Sequence, residues 1–254
     1  METMNITTHH RVDEVLIERD FTLGDIDGVL WTPAAASAAA PVPLILLGQP
    51  GGFALERMRT GLRARARSAA ASGIASIAIE QPGAGARPPL PGAEQVRAEL
   101  REALAAGRPP GDDLVDRLIL PLVDRAVPEW QAALDAVQQR DDIGDRVAVS
   151  GGVVSIAIAL ALRDPRIVAA GLFAGSFVPR SVLDAAHRLT IPIHMLLQWD
   201  DEGNDRQMAL DLFDAFGSSQ KTLQANLGGH TGVPSFAGED AARFFVRHLL
   251  PAGI

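Results

Sequence analysis

A serine, a carboxylate and a histidine follow three apolar, strand-like runs of this chain, in that order. Ser150 closes "RVAVS" and is followed by Gly151 and Gly152. Asp200 and Asp201 follow "IPIHMLLQW" (191–199), and His230 follows "KTLQANLGG". A serine hydroxyl is a weak nucleophile until an adjacent imidazole takes its proton. The imidazole in turn needs a carboxylate to fix its tautomer and stabilise its charged form. Such residues at strand ends can carry acyl transfer. Each also has a plainer reading. Ser-Gly-Gly can be a tight turn, His230 a surface histidine in a glycine-rich loop, and the two aspartates a cap for a helix starting near Asp205.

Positioning these groups requires strands whose ends converge. Runs 14–23 and 26–33 read as strands joined by a short Gly-Asp turn, a hairpin signal. "PLILLG" (43–48) is apolar on both faces, as in a buried parallel strand. A glycine turn and a helix closed by Gly73 follow, then a strand at 74–80 ended by "QPGAG". Residues 86–140 hold no convincing strand; they read as a helix stopped at Gly107 and then helices broken at Pro121 and Pro128. Strands at 146–149, 166–175, 191–199 and 221–227 then alternate with helices, the last at 238–250. The alternation predicts an α/β fold: a mostly parallel sheet with an N-terminal antiparallel hairpin and helices on both faces. Nothing in composition marks a second domain. In such a sheet ligands bind outside the carboxyl ends of the strands, where "GQPGGF", "EQPGAG", "SGG", "DDEGND" and "GGHTG" stand.

The order Ser…Asp…His, with "LLGQPGG", "IEQPGAG", "VAVSGG", "QWDD" and "GGH", resembles the α/β-hydrolase superfamily, most of all its small bacterial esterase and dienelactone-hydrolase-like members. The resemblance covers nearly the whole chain. It implies Ser150 as nucleophile, His230 as base and Asp201 as acid, with Asp200 as the near alternative. It also implies an oxyanion hole from the N–H groups of Gly151 and of Gly51, since Pro50 has none. Ala148 stands where the family's elbow has its first glycine, and Gln49 and Ala84 stand where it has histidines. Gln49 is a candidate donor into the site. The expected activity is hydrolysis of an ester, thioester or lactone through an acyl-enzyme. The altered elbow motivates a rival, a cyclase, lyase or acyltransferase on the same scaffold, and a binding protein is the third reading.

The helical stretch 86–128 is expected to cover the site as a lid. Phe53, Leu90, Leu118 and Phe177 are then candidates for an apolar acyl pocket. Glu80 reads as a structural hydrogen-bond acceptor, with an alternative acid or a substrate contact as its other readings, His194 as a core histidine, and His9 and His10 as part of a frayed terminus. The arginines of "ERMRTGLRARARS" (56–68) read as a solvated helix face. A net charge of −8 argues against a nucleic-acid partner. The absence of cysteine excludes thiolate catalysis and disulfides, and with no secretory pattern at the N-terminus it points to the cytoplasm. No apolar run reaches membrane-spanning length, no metal-ligand spacing occurs, and no phosphate-binding glycine motif opens a helix. No cofactor is expected, and the expected partner is a small ester-type substrate.

Overall fold

The computed structural model describes residues 3–173, 175 and 177–251. The strands are β1 (Asn5–Ile6), β2 (His10–Arg11), β3 (Leu16–Leu23), β4 (Ile26–Pro33), β5 (Val42–Gly48), β6 (Ala75–Ile79), β7 (Ile143–Gly151), β8 (Ile167–Phe173), β9 (Ile193–Gln198) and β10 (Lys221–Asn226). The helices are α1 (Leu55–Ala71), α2 (Ala93–Ala105), α3 (Asp112–Val137), α4 (Val154–Arg163), α5 (Arg180–Ala185), α6 (Arg206–Ala215) and α7 (Ser235–Leu249). The expected strand at 166–175 closes at Phe173, and its Ala174 lies outside the described residues.

The sheet runs β1-β3-β4-β6-β5-β7-β8-β9-β10, with β2 also on β3. β3 and β4 form the hairpin, turned at Gly24 with φ 58°. β4 is antiparallel to β6, and from β6 through β10 every pairing is parallel. The chain leaves β5 for β6 on one side and returns to β7 on the other. That reversal places a crevice at the C-terminal ends of β5 and β7.

Alternation along the strands splits the core by face. Leu44, Leu46, Val147 and Val149 pack with α3, α4 and α6 on one side. Ile45, Leu47 and Ala148 pack with α1 and α7 on the other. The prolines at 121 and 128 do not break the helix as expected; α3 is continuous. An internal proline costs about 3 kcal/mol. Both prolines face solvent, while Leu122, Val123, Ala126, Val127 and Trp130 are buried between and beside them. Burial of about 1.5–3 kcal/mol per large apolar side chain outweighs that penalty.

Two other expectations are corrected. His10 is not in a frayed terminus. β1 and β2 pair antiparallel with β3, satisfying backbone groups that an edge strand would leave open. Nor do all the arginines of α1 form a solvated face: Arg57, Arg65 and Arg67 are exposed, but Arg59 and Arg63 are partly buried. At four-residue spacing, Arg59, Arg63 and Arg67 reach down onto β3 and the turn before it. Arg59 donates to Glu18 (2.9 Å) and Asp20 (2.6 Å), Arg63 to Glu18 (2.6 and 2.8 Å), and Arg67 to Asp13 (2.6 Å).

Glu18 is fully buried and also accepts from Trp31 Nε1 at 2.6 Å. Burial pushes its carboxyl up, but hydrogen bonds from Arg63 and Trp31, with the charges of Arg63 and Arg59, outweigh it and lower it from 4.5 to about 2. The folded value lies below the unfolded one, so this stabilisation is complete above about pH 4.5 and is lost as pH falls toward 2. Arg59 and Arg63 are partly exposed, which weakens the pairing. Glu18→Gln is expected to cost about 2–3 kcal/mol at pH 7. Urea unfolding of both proteins checks this: the gap should shrink between pH 4.5 and 2, and a pH-independent gap would refute the ion-pair account.

Candidate active site

Ser150 is the penultimate residue of β7 and its side chain shares the α1/α7 face of the sheet with Ala148. In the sheet it lies in one row with Leu47, Gly171 and His194. Its own φ is not positive. The left-handed residues are Gly151 (φ 69°) and Gly152 (φ 79°), after which Val153 caps α4. Glycine is required at 152 for space as well. A Cβ there would stand 2.7 Å from Gly48 Cα and 2.9 Å from the Gln49 N. The turn after β7 is thus seated directly against the end of β5, and Ser150 lies at the strand end rather than at the apex of the turn.

Asp201 and His230 come together as the resemblance implies. Asp201 Oδ2 accepts from His230 Nδ1 at 2.7 Å, and the carboxylate also accepts from Gly203 N (3.0 Å) and Asn204 Nδ2. Burial pushes the Asp201 carboxyl up; these hydrogen bonds and the facing imidazole overcome it and hold it below the usual carboxylate range. Asp200 is engaged elsewhere, accepting from Gly228 N at 3.1 Å. Gln198 Nε2 donates to Gly229 O at 3.1 Å, so two side chains from the end of β9 brace the loop that carries His230. Phe173 meets the imidazole edge-on at 5.2 Å between ring centroids. Asp205, not Asp201, caps α6, accepting from Gln207 N and Met208 N.

Ser150 makes no hydrogen bond to His230 among the described residues. Its partner is Arg65, whose Nη2 donates to Ser150 Oγ (2.8 Å) and to Ser150 O (3.0 Å). Gly151 makes room for this, since a Cβ there would stand 3.2 Å from Arg65 Nη2. No carboxylate lies within 4 Å of the guanidinium among the described residues. Sequence reading missed Arg65. A signal was present: helical spacing puts it beside the packed stripe of Leu62, Ala66 and Ala69 on α1, the side that faces the sheet.

Ser150, Arg65 and His230 all open onto one cleft of about 790 Å³. The sheet forms its floor, and α1 and α7 form its walls. The pocket expected from sequence lies elsewhere. Leu90, Leu118 and Phe177 are partly buried against the core on the opposite face, and Phe53 is exposed under Arg57. Gln49 turns inward, donating to Ile79 O (3.3 Å) and Glu80 Oε1 (3.5 Å) and accepting from Gln81 Nε2 (2.7 Å). It braces two strand ends and does not line the cleft. Gly51 also lies outside the lining, beside Leu122, whereas Gly151 is within it. No residue of 86–128 lines the cleft; α2 instead packs on α3 and brings Arg97 near Gly52.

Glu80 is structural. Both of its oxygens accept from Leu55 N (3.0 and 3.1 Å), placing a carboxylate at the N-terminus of α1. His194 is buried and neutral-leaning: burial lowers its pKa against the opposing charge of Asp240. Its Nδ1 meets Thr222 Oγ1 at 3.0 Å. Among the described residues no cluster of His, Asp or Glu is arranged to hold a metal, and no helix is long and apolar enough to cross a membrane.

No family model and no curated protein sequence matches the chain. Solved structures do. A cold-adapted esterase from an Arctic intertidal metagenomic library matches with a TM-score of 0.71 and 26% identity, over 96% of this chain and 98% of that one. An acetyl xylan esterase from Paenibacillus sp. R4 matches at 0.62 and 17% identity, over 97% and 88%. A predicted CIB-like hydrolase from Thermoplasma acidophilum matches at 0.60 and 14% identity, over 91% and 96%. The latter two likenesses are of fold. The chain has the α/β-hydrolase fold, and its structural neighbours are esterases and hydrolases of that type.

Proposed function

We propose that this chain, an α/β-hydrolase-fold protein similar to small esterases, is an esterase-type hydrolase that cleaves a small-molecule carboxylic ester, thioester or lactone. The observation that carries the reading is the Asp201–His230 pair opening onto the same cleft as Ser150. The likeness to the cold-adapted esterase supports it.

In this reading Asp201 holds the proton of His230 on Nδ1, leaving Nε2 free to accept one. Ser150 accepts a hydrogen bond from Arg65, so its own proton is available to His230 once the two side chains close up. The Ser150 oxygen attacks the carbonyl carbon. The oxyanion forms beside the Arg65 guanidinium and the Gly151 N–H, with Arg65 in the place the resemblance gave to Gly51. A removed oxyanion donor typically costs about 10²–10³ in kcat. His230 returns the proton to the leaving group, then activates water to release the acid. The cysteine-free composition fits work in the cytoplasm.

One observation favours a second reading. Ser150 Oγ is engaged by Arg65 and the turn apex carries only glycines. There His230 would activate water for direct attack, with no acyl-enzyme. A fluorophosphonate probe separates the two: covalent labelling of Ser150 supports the acyl-enzyme, whereas ester turnover without labelling supports direct attack.

A further inference from the structure

We infer that the cleft between α1 and α7 is the seat of a linear aliphatic acyl chain, whose carboxyl-type head lies at Arg65, Ser150 and His230. This deepens the esterase reading and rests on it for the chemistry at the head.

The cleft extends well beyond the reacting groups. Along α1 it is lined from Met58 to Ser72, and along α7 from Ser235 to Val246. At about 1.5 Å per helical residue these walls run roughly 16–21 Å. Arg65 lies seven residues from either limit of the α1 lining, so about 10 Å of wall runs on from the head; at about 1.2 Å per bond, a chain of about ten carbons spans that length. The floor and sides below the head are mostly apolar, with Ile45, Leu47, Leu62, Ile74, Leu196 and Phe245; the polar exceptions include His194 in the sheet floor and Ser68 and Ser72 on the α1 wall. Glu239, which also lines the cleft, is exposed and pairs with Arg243. A sugar would leave most of its hydroxyls facing aliphatic side chains, with only a few polar groups in the lining to meet them.

Charge is placed midway along the α1 wall, at the head. Arg65 stands beside Ser150 with no carboxylate within 4 Å among the described residues, ready to meet a carbonyl or carboxylate oxygen. Open width comes from residues that helices otherwise avoid. Gly61 inside α1 and Gly238 inside α7 both line the cleft, and a Cβ on either would meet nothing within 4 Å. Glycine within a helix costs about 1 kcal/mol relative to alanine. Here it keeps both walls of the cleft clear.

The test uses the full chain and the variants Gly61→Phe and Gly238→Phe, placed where the new ring has room and checked by thermal melts. The kcat/KM of p-nitrophenyl decanoate relative to acetate is expected to exceed tenfold in the parent protein and to fall at least tenfold in each variant. Calorimetric titration with dodecanoate reads binding without turnover. Saturable 1:1 binding is expected, weakened at least tenfold by either variant and by Arg65→Gln. A chain-length ratio that neither variant moves, together with no dodecanoate binding, overturns the inference while leaving short-ester hydrolysis standing. Dodecanoate binding lost in the variants, with no turnover of any ester, upholds the groove and rejects the esterase reading.

Discussion

Ser150→Ala is expected to lower kcat on a short-chain aryl ester by about 10³-fold or more and to abolish fluorophosphonate labelling. The expected size follows from removal of a nucleophile, which leaves only binding and oxyanion stabilisation. Stability should change little. Ser150 sits in a parallel strand paired on both sides, and its backbone hydrogen bonds do not depend on the hydroxyl. Arg65 would lose one acceptor and keep the Ser150 carbonyl at 3.0 Å. A variant that folds normally and retains turnover within tenfold would reject Ser150 as nucleophile and leave direct water attack by His230.

His230→Ala is expected to cost about 10³-fold in kcat under either route, because the same imidazole serves both. It is therefore the test of the site as a whole, where Ser150→Ala tests only the nucleophile. Asp201→Asn should come close to it, on the order of 10³–10⁴, because an amide in place of the carboxylate favours the wrong tautomer. The sign of the pH effect is also defined. Burial raises the Asp201 carboxyl, but His230, the Gly203 N–H and Asn204 bring it below the usual range. Its charge is then lost at a lower pH than that of an unperturbed carboxylate, as pH falls through the lowered value. A pH profile of kcat/KM in which the parent's acidic limb shifts in Asp201→Asn supports the assignment. Full activity in His230→Ala would reject the site itself.

Much of this architecture is legible in the chain. Apolar strand runs are local signals, and the residues after them are by construction the residues at the crevice. That is why Asp201 and His230 can be paired from sequence although 29 positions separate them. The α3 helix reads as broken because a proline's penalty is local, whereas the burial that overcomes it is tertiary. The arginines of α1 read as solvated for a related reason. Periodicity tells which side of a helix a residue occupies, but not that β3 lies beneath with Glu18, Asp20 and Asp13 nearby.

The sequence by itself determined the α/β order, the hairpin at its start, and the candidate groups at the strand ends. These depend on short-range patterning and on residue chemistry. Only the tertiary structure decided what those groups face. It turned Gln49 inward to hold two strands, set Leu90, Leu118 and Phe177 against the opposite face, and brought Arg65 across 85 positions to Ser150. It also opened the cleft between α1 and α7, whose walls are contributed by segments far apart in the chain. Contacts of that kind are set by how helices seat on a twisted sheet, which no local window of sequence contains.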